Sequence, residues 1–266
     1  MAPRRMKMGT AVVSLAMVLQ GVFALAGPAT AHATLPMVHT LCAFNASSLA
    51  SLDDPAQRGC KWGAIARAAD IGVVHQNCTI EGTANDDHLR GTGGKDVICG
   101  FQGDDVIKAL GGNDTVYGGA GKDRILGGGG KDRLVGEDGN DRLVGGANRN
   151  SILGQLGNDV IVGGGRTDFM AGGFGDDRYR GGFGDDFVSD TRGSDVANLG
   201  GGQDLFDSTK GIDVVHAGPG NDFCLSVKDG DPGDVIDGGP GVDRFDADST
   251  DSWVNAEIGP EICNAC

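Results

Sequence analysis

The chain has 266 residues, of which 49 are glycine and 5% are aromatic, and its formal net charge is −15. This glycine content is far from that of an average globular domain. The strong negative charge argues against nucleic acid or an anionic membrane as a binding partner, because both would repel the chain.

The first 33 residues have the composition of a secretory signal peptide. Three cations at residues 4–7 are followed by an apolar stretch over residues 10–26 and by an A-x-A cleavage site at residues 31–33. The alternative is a membrane anchor. The short apolar stretch and the cleavage site favour export, so we expect a secreted, extracellular protein. No other stretch is long and apolar enough to be a transmembrane segment in the mature chain.

Residues 34–81 form a second region without a repeat. Asp53-Asp54-Pro55 is typical of a helix start, with proline at the first helical position, and predicts a helix over residues 55–69. We interpret this region as a small, partly helical N-terminal cap. Such a cap would cover the open end of the structure that follows.

A nine-residue repeat occupies residues 82–246. Residues 118–144 read GGAGKDRIL, GGGGKDRLV and GEDGNDRLV. Each unit has glycine at its first and fourth places, aspartate at its sixth and an aliphatic residue at its eighth. A fixed period of this kind predicts a solenoid, in which each unit buries its apolar side only by stacking on its neighbours.

Aspartate recurs at the sixth place through almost the whole repeat region, with Asn150 as the exception. Counting in nines runs without a slip as far as Asp222, and three extra residues, placed at 226–228, precede the last two units. The sixth-place aspartates are Asp87, Asp96, Asp105, Asp114, Asp123, Asp132, Asp141, Asp159, Asp168, Asp177, Asp186, Asp195, Asp204, Asp213, Asp222, Asp234 and Asp243.

These units resemble the glycine- and aspartate-rich nonapeptides of the RTX (repeats-in-toxin) family, the hemolysin-type calcium-binding repeats. The resemblance implies an all-β fold, a right-handed parallel β-roll or β-helix solenoid with two repeats per coil. It implies multiple Ca²⁺ ions between stacked turns, with the seventeen sixth-place aspartates as metal ligands. The cleavable N-terminal signal departs from RTX toxins, which are exported through a C-terminal signal, and makes a toxin role doubtful.

The residue types fit this chemistry. Glycine turns aim backbone carbonyls inward, and the aspartate adds a carboxylate, so each turn supplies the hard oxygen ligands that calcium prefers. The alternative is that aspartate and glycine only form turns. Stacked carboxylates would then repel each other, and one apolar residue per unit makes a thin core. We therefore expect a chain that is largely unfolded without calcium.

Two units depart from the repeat. Asn148 and Asn150 replace glycine and aspartate in one unit, and Arg166 stands at the fourth place of the unit one coil later. We expect a gap in the series of calcium sites there, with the charge of Arg166 replacing that of an ion.

Seventh-place residues point outward, and alternation of units between two faces sorts them into two rows. One row contains four consecutive apolar residues, Phe169, Phe187, Leu205 and Phe223, here called the apolar strip. The strip predicts either a surface covered by the C-terminal residues or a docking surface for a protein, a cell-surface partner or a second copy.

Residues 247–266 lose the repeat and predict an irregular C-terminal cap. Export permits disulfides. We expect bridges Cys42–Cys60 and Cys78–Cys99 and a bridge that ties the C-terminal cap near Cys263 and Cys266. Cys224 falls at an eighth, core place and is the candidate for an unpaired thiol.

No catalytic motif stands out. The sequence has no H-E-x-x-H or G-x-S-x-G motif, and its histidines are scattered. The sequence therefore favours a non-catalytic, secreted calcium-binding module. The alternative is a polysaccharide hydrolase or epimerase that uses the solenoid face. An ice-binding array is less favoured, because the outward places lack a regular threonine lattice.

Overall fold

The structure, a computed structural model, describes residues 77–227 and 229–256. The predicted signal peptide, the helix at residues 55–69, the Cys42–Cys60 bridge and the bridge near Cys263 and Cys266 lie outside these residues. Within them the chain is all β, and none of its segments forms a helix that could cross a membrane.

The strands alternate between two sheets along the chain. They are β1 (Ile80–Glu81), β2 (His88–Arg90), β3 (Val97–Gln102), β4 (Val106–Gly111), β5 (Thr115–Ala120), β6 (Arg124–Gly129), β7 (Arg133–Asp138), β8 (Arg142–Gly146), β9 (Ser151–Leu156), β10 (Val160–Gly165), β11 (Phe169–Phe174), β12 (Arg178–Phe183), β13 (Phe187–Ser189), β14 (Val196–Gly201), β15 (Leu205–Asp207), β16 (Val214–His216), β17 (Leu225–Ser226), β18 (Val235–Asp237), β19 (Phe245–Asp246) and β20 (Ser252–Val254). The odd-numbered strands form one parallel sheet, the odd sheet, and the even-numbered strands form a second, the even sheet. Each coil thus contributes one strand to each sheet, and the fold is a parallel β-solenoid of the β-roll kind, as predicted.

The strand register confirms two repeats per coil. In the odd sheet Ile98 lies opposite Val116, and Val116 lies opposite Leu134, so paired residues are two nine-residue units apart. Ile80 lies opposite Ile98, which confirms that coiling begins one unit before the first complete repeat.

Eighth-place side chains fill the space between the two sheets. From Ile98 to Phe245 the core side chains in these strands are at most 6% exposed. Ala109, Leu199 and Ala217, at first places, add to the same cluster. The core is narrow because each short strand directs alternate side chains outward.

The three extra residues are absorbed differently from the prediction. Leu225, not Cys224, lies opposite Phe206 and Phe245, and it is fully buried. Paired residues are normally two nine-residue units apart. In the odd sheet one extra residue lies between Phe206 and Leu225, and two extra residues lie between Leu225 and Phe245. In the even sheet all three extra residues lie between the paired residues Val214 and Val235. Cys224 is buried, with 7% of its surface exposed, but Leu225 takes the position in the strand register that the prediction gave to Cys224. Counting in nines cannot tell where within a coil an insertion is accommodated.

Disulfides tie down parts of the roll. Cys78 and Cys99 are bridged, with their Cα atoms 6.0 Å apart, which confirms that prediction and joins the segment before β1 to β3. Cys224 is also disulfide-bonded, so the prediction of an unpaired thiol at this residue was wrong.

The even sheet continues past Asp246, the last residue assigned to the repeat by sequence. β20 pairs with β18, and Trp253 lies opposite Ile236. The ring of Trp253 packs on that of Phe245, with 4.9 Å between centroids. One coil therefore extends into residues 247–266, which the sequence analysis assigned to an irregular cap.

Candidate metal centres in the turns

The sixth-place aspartates line the turns on both sides of the roll. All of them from Asp96 to Asp243 are at most 6% exposed, and only Asp87, in the first complete unit, is half-buried. The structure therefore brings the predicted site residues together in two columns, one beside each sheet. So many buried carboxylates require hydrogen-bond donors or cations.

One carboxylate oxygen of each aspartate holds adjacent coils together. The backbone N–H of Asp105 donates to Oδ1 of Asp123 at 2.9 Å, and that of Asp123 donates to Oδ1 of Asp141 at 2.8 Å. The same bond recurs along both columns as far as Asp222, whose N–H donates to Oδ1 of Asp243 at 2.9 Å. Oδ1 is therefore a structural acceptor, and this bond fixes the direction of Oδ2.

The second oxygen, Oδ2, has no such donor in most of these aspartates. It is buried and receives no hydrogen bond in Asp105, Asp114, Asp123, Asp132, Asp141, Asp159, Asp168, Asp177, Asp186, Asp195, Asp204, Asp222 and Asp234. A buried oxygen left without a partner costs free energy. A hard cation is the partner that would satisfy an anionic oxygen in every turn at once.

The space in front of Oδ2 is lined by oxygen and kept open by glycine. A Cβ placed on Gly118 would overlap Oδ2 of Asp123 and the carbonyl oxygen of Gly136, one coil later. Glycine at the first place of this unit therefore keeps the space open. The carboxylate and the carbonyl on either side of this space are the oxygen types that calcium takes as ligands, so the residues present fit the ion.

The electrostatics of the columns point the same way. Burial, opposed by the backbone hydrogen bond and reinforced by neighbouring carboxylates, raises the pKa of Asp141 from 3.8 to about 8 and the pKa of Asp123 to about 6. The same causes raise the pKa of Asp177 and of Asp186 to about 8. Without a cation Asp141, Asp177 and Asp186 hold protons near neutral pH, and a bound cation would favour their ionised form.

The first two complete units differ from the rest. Oδ2 of Asp87 accepts hydrogen bonds from the N–H and hydroxyl of Thr83 at 2.6 and 2.9 Å. Oδ2 of Asp96 accepts from the N–H and hydroxyl of Thr92 at 2.7 and 2.9 Å. Here the chain itself supplies the donors that the other turns lack. A threonine at the second place, in these two units, is the sequence signal that the analysis above did not use.

A second column of side chains, at the fifth place, was also missed by sequence reasoning. Oδ1 of Asn113 accepts the N–H of Lys131, one coil later, at 2.9 Å, and Oδ1 of Asn158 accepts that of Asp176 at 3.0 Å. These bonds run in the opposite direction to those of the sixth place. The frequent aspartate and asparagine at the fifth place was the available signal.

The predicted gap has a structural counterpart at Asn150. Its Oδ1 accepts the N–H of Asp132 at 3.1 Å, as an aspartate would. Its Nδ2 lies where the aspartates place Oδ2 and donates to the carbonyl of Asn148 at 2.5 Å and to Oδ1 of Asp168 at 3.1 Å. An amide N–H₂ is a donor and cannot bind a cation. This turn therefore presents a donor where its neighbours present an anionic oxygen.

Two arginines, Arg149 and Arg166, lie beside the gap. Arg166 adopts a positive φ of 64° at the fourth place. Arg149, whose guanidinium also lies 4.8 Å from the ring centre of Phe169, is the group whose charge lowers the pKa of Asp168 against the larger effect of burial. Both arginines line a shallow depression of about 470 Å³ together with Lys131.

The apolar strip exists as a stack of half-buried side chains. The rings of Phe169 and Phe187 are stacked with 5.1 Å between centroids, and those of Phe187 and Phe223 meet edge to face at 6.3 Å. Leu205 pairs with Phe187 in the odd sheet. The strip is thus partly covered by its own members.

Comparison with known families agrees with this geometry. A family model described as the RTX calcium-binding nonapeptide repeat (4 copies) matches residues 79–100, 100–134, 126–161, 135–170, 153–188, 171–206, 180–215 and 199–226. A search of curated proteins found no match to the chain. The matches together cover residues 79–226, more than half of the sequence, and they coincide with the coils whose carboxylates face the turns. The chain therefore belongs to the family of RTX calcium-binding nonapeptide repeat proteins.

Proposed function

We propose that this chain is a secreted, non-catalytic protein whose calcium-binding β-roll acts as a structural or binding module and whose folding depends on calcium. The observation that carries the proposal is the series of buried Oδ2 atoms without donors. The Oδ1 bonds between coils fix the position of these atoms, and no hydrogen-bond donor of the described residues reaches them. Calcium would satisfy them and remove the mutual repulsion of the carboxylates.

We propose the seventeen sixth-place aspartates as the calcium ligands. Those with an open Oδ2 are the strongest candidates. Asp87 and Asp96 are the weakest, because Thr83 and Thr92 already donate to their second oxygens. The turn at Asn150 is proposed to lack an ion or to hold it less tightly.

The extracellular location and the domain division remain proposals that the sequence supports. The signal peptide at residues 1–33 and the cap region at 34–81 rest on residue patterns. Residues 82–246 are proposed as the calcium-binding roll and 247–266 as the C-terminal cap, with the reservation that β20 adds a regular strand to the latter.

We propose that the protein is not an enzyme, because its sixth-place carboxylates are not placed to act on a substrate. A glycosidase or epimerase would need carboxylates that reach a sugar in an open groove. The sixth-place aspartates from Asp96 to Asp243 are instead buried inside turns. A polysaccharide-active enzyme remains the alternative, and release of reducing sugars or new unsaturated ends from polysaccharide by the purified protein would favour it.

The test of the main proposal is calcium-dependent folding. Circular dichroism and calorimetry of the chain from residue 34 to 266 should show a β-rich, cooperatively melting protein in millimolar calcium. After removal of calcium with EGTA the β signal should be largely lost, and readdition of calcium should restore it. Millimolar magnesium serves as a control, because it prefers a small octahedral site and keeps several waters. A metal-free chain that melts as it does in calcium would overturn the proposal.

We also propose the apolar strip as a docking surface for a protein partner, the simplest being a second copy of the chain. Half-burial of stacked aromatic rings leaves contiguous apolar area available. The change Phe187→Ser should lower the oligomer size in calcium without changing the melting temperature. Phe183→Ser, at a side chain 79% exposed and outside the strip, is the matched control. A loss of stability with unchanged size would instead show that residues of the same chain cover the strip.

A further inference from the structure

One turn carries a buried carboxylate at the first place, which is glycine in most units. Asp190 occupies the first place of the unit that leads into β14, and it is fully buried. One coil earlier the same place is Gly172, where a Cβ would overlap Oδ2 of Asp177 and the hydroxyl of Tyr179. Asp190 therefore brings a third carboxylate into the space that glycine keeps open in an ordinary turn.

The side chain of Asp190 is held in one orientation. Its Oδ1 accepts hydrogen bonds from the hydroxyl of Tyr179 at 2.6 Å and from the N–H of Gly173 at 3.1 Å. Its Oδ2 accepts from the N–H of Arg192 at 2.7 Å. The hydroxyl of Tyr179 in turn accepts the N–H of Gly172 at 2.7 Å. Four polar groups of neighbouring segments thus fix this carboxylate before any ligand arrives.

Asp190 converges with two sixth-place aspartates. One carboxylate oxygen from each of Asp177, Asp190 and Asp195 lies within 4.8 Å of the other two, and all three residues are at most 1% exposed. No donor reaches Oδ2 of Asp177 or of Asp195. In the part of the chain that the structure describes, no lysine or arginine side chain forms an ion pair with any of the three. Three carboxylates in so small a buried volume can be ionised together only with a counter-cation.

We propose that Asp177, Asp190 and Asp195 form a three-carboxylate site for a hard cation, calcium in the protein and a lanthanide as a probe. It is the tightest site of the roll and the first to fill. Affinity for calcium rises with the number of charged ligands and with the rigidity of the site, and this turn exceeds its neighbours in both. This inference rests on the proposed function, in which the other turns bind calcium. Asp190, however, is not one of the sixth-place aspartates that are proposed as ligands in those turns.

The chain itself supplies an optical reporter for this site. Tyr179 is one of two tyrosines in the sequence, and its hydroxyl touches a proposed ligand. Terbium bound here should emit strongly on excitation through tyrosine. The other tyrosine, Tyr117, lies in β5 of the odd sheet, whereas Tyr179 lies in β12 of the even sheet. The two tyrosines are about three coils apart along the roll.

The test is a terbium titration of the full mature chain followed by luminescence and calorimetry. The first equivalent should give tyrosine-sensitised emission, and its affinity should exceed that of later equivalents by about tenfold or more. Asp190→Asn, which keeps the shape of the side chain, and Asp190→Gly, which restores the residue of the repeat, should both lose this tight first event. Tyr179→Phe should lose the early emission and, because it removes one of the donors that fix Asp190, weaken the first binding event measured by heat less than either Asp190 variant does. Asp138→Asn, at an exposed third-place carboxylate, is the control and should change neither.

The outcomes separate this inference from the proposed function. If both Asp190 variants bind the first terbium ion as tightly as the unchanged chain, the inference is wrong even when calcium still folds the protein. If calcium fails to fold the unchanged chain, the proposed function fails on that measurement alone. Should neither Asp190 variant fold in saturating calcium, Tyr179→Phe decides: early emission that survives in this variant places the first ion elsewhere.

Discussion

At the level of single residues, the two oxygens of a sixth-place aspartate have separate tasks. Oδ1 accepts a backbone N–H from the preceding coil and would be served equally well by asparagine. In most of these aspartates Oδ2 faces the oxygen-lined space and has a binding partner only when a cation is present. Asn150 shows the separation within the chain itself, because it keeps the first task and replaces the second with a donor.

This separation predicts opposite effects of one substitution in the two metal states. Asp141→Asn keeps the acceptor for the N–H of Asp123 but removes one buried charge. Without calcium the variant should be more stable than the unchanged chain, because a carboxyl that resists ionisation is gone. With calcium it should bind the ion about tenfold more weakly and melt at a lower temperature. The β signal that remains in EGTA and the melting temperature in calcium measure the two effects.

The converse substitution is the control. Asn150→Asp introduces an anionic oxygen into the interrupted turn, and calorimetry should then show more bound calcium or tighter binding at this level. If Asp141→Asn changes stability in the same direction in both states, the assignment of Oδ2 to the ion is wrong.

At the level of the element, coils stack closely because glycine occupies the fourth place of the turn. Gly130 has a φ of 125°, and a Cβ there would overlap the carbonyl oxygen of Gly112 in the preceding coil. A residue with a side chain must both enter an unfavourable region of φ and push the coils apart. Phe101 and Leu110 tolerate positive φ at the second place, but their side chains lie partly exposed.

Gly130→Ala should therefore cost roughly 2 kcal/mol or more of stability in calcium. Gly93→Ala is the matched control, since no atom lies within 4 Å of its added Cβ. That change should be neutral or stabilise the chain by about 0.4–1 kcal/mol through the unfolded state. Chemical denaturation of both variants measures the difference. Equal effects at the two sites would show that coil spacing does not depend on the fourth-place glycine.

The strands also show which features of the fold can be predicted from the sequence and which cannot. The nine-residue period predicted the spacing of the buried residues and of the aspartates, because the same small unit repeats with one of each. The resemblance to RTX repeats implied two units per coil, which the strand register confirms. The period could not place Leu225 instead of Cys224 in the strand register, since an insertion breaks the count and packing decides where the extra residues go. Asp190 was missed for a related reason. The aspartates were counted at the sixth place of each unit, whereas Asp190 stands at a first place.

At the level of the whole molecule, the raised pKa values act together on the metal-free chain. Burial, together with neighbouring carboxylates, raises the folded-state pKa of Asp141 and of Asp177 from 3.8 to about 8. The folded chain then holds more protons than the unfolded chain between these pH values. Its stability must fall as pH rises through this window and is fully present only below about pH 4.

We therefore expect the calcium-free protein to regain β-structure on acidification from pH 8 to pH 4. The calcium-loaded protein should show the opposite slope over the lower part of this range, because protons compete with calcium for the same carboxylates. Circular dichroism of desalted protein across this range, with and without calcium, tests both slopes. A metal-free spectrum that does not change with pH would contradict the expectation.

The opposed bonds of the fifth and sixth places make every coil depend on both of its neighbours. The sixth-place N–H finds its acceptor toward the C-terminus, as Asp105 does in Asp123, whereas the fifth-place N–H of Lys122 finds its acceptor toward the N-terminus, in Asp104. A backbone cut between two coils would consequently leave donors and acceptors on one face that mirror those on the other. The two pieces therefore carry complementary hydrogen-bonding ends, able to bind each other and restore one continuous pair of sheets.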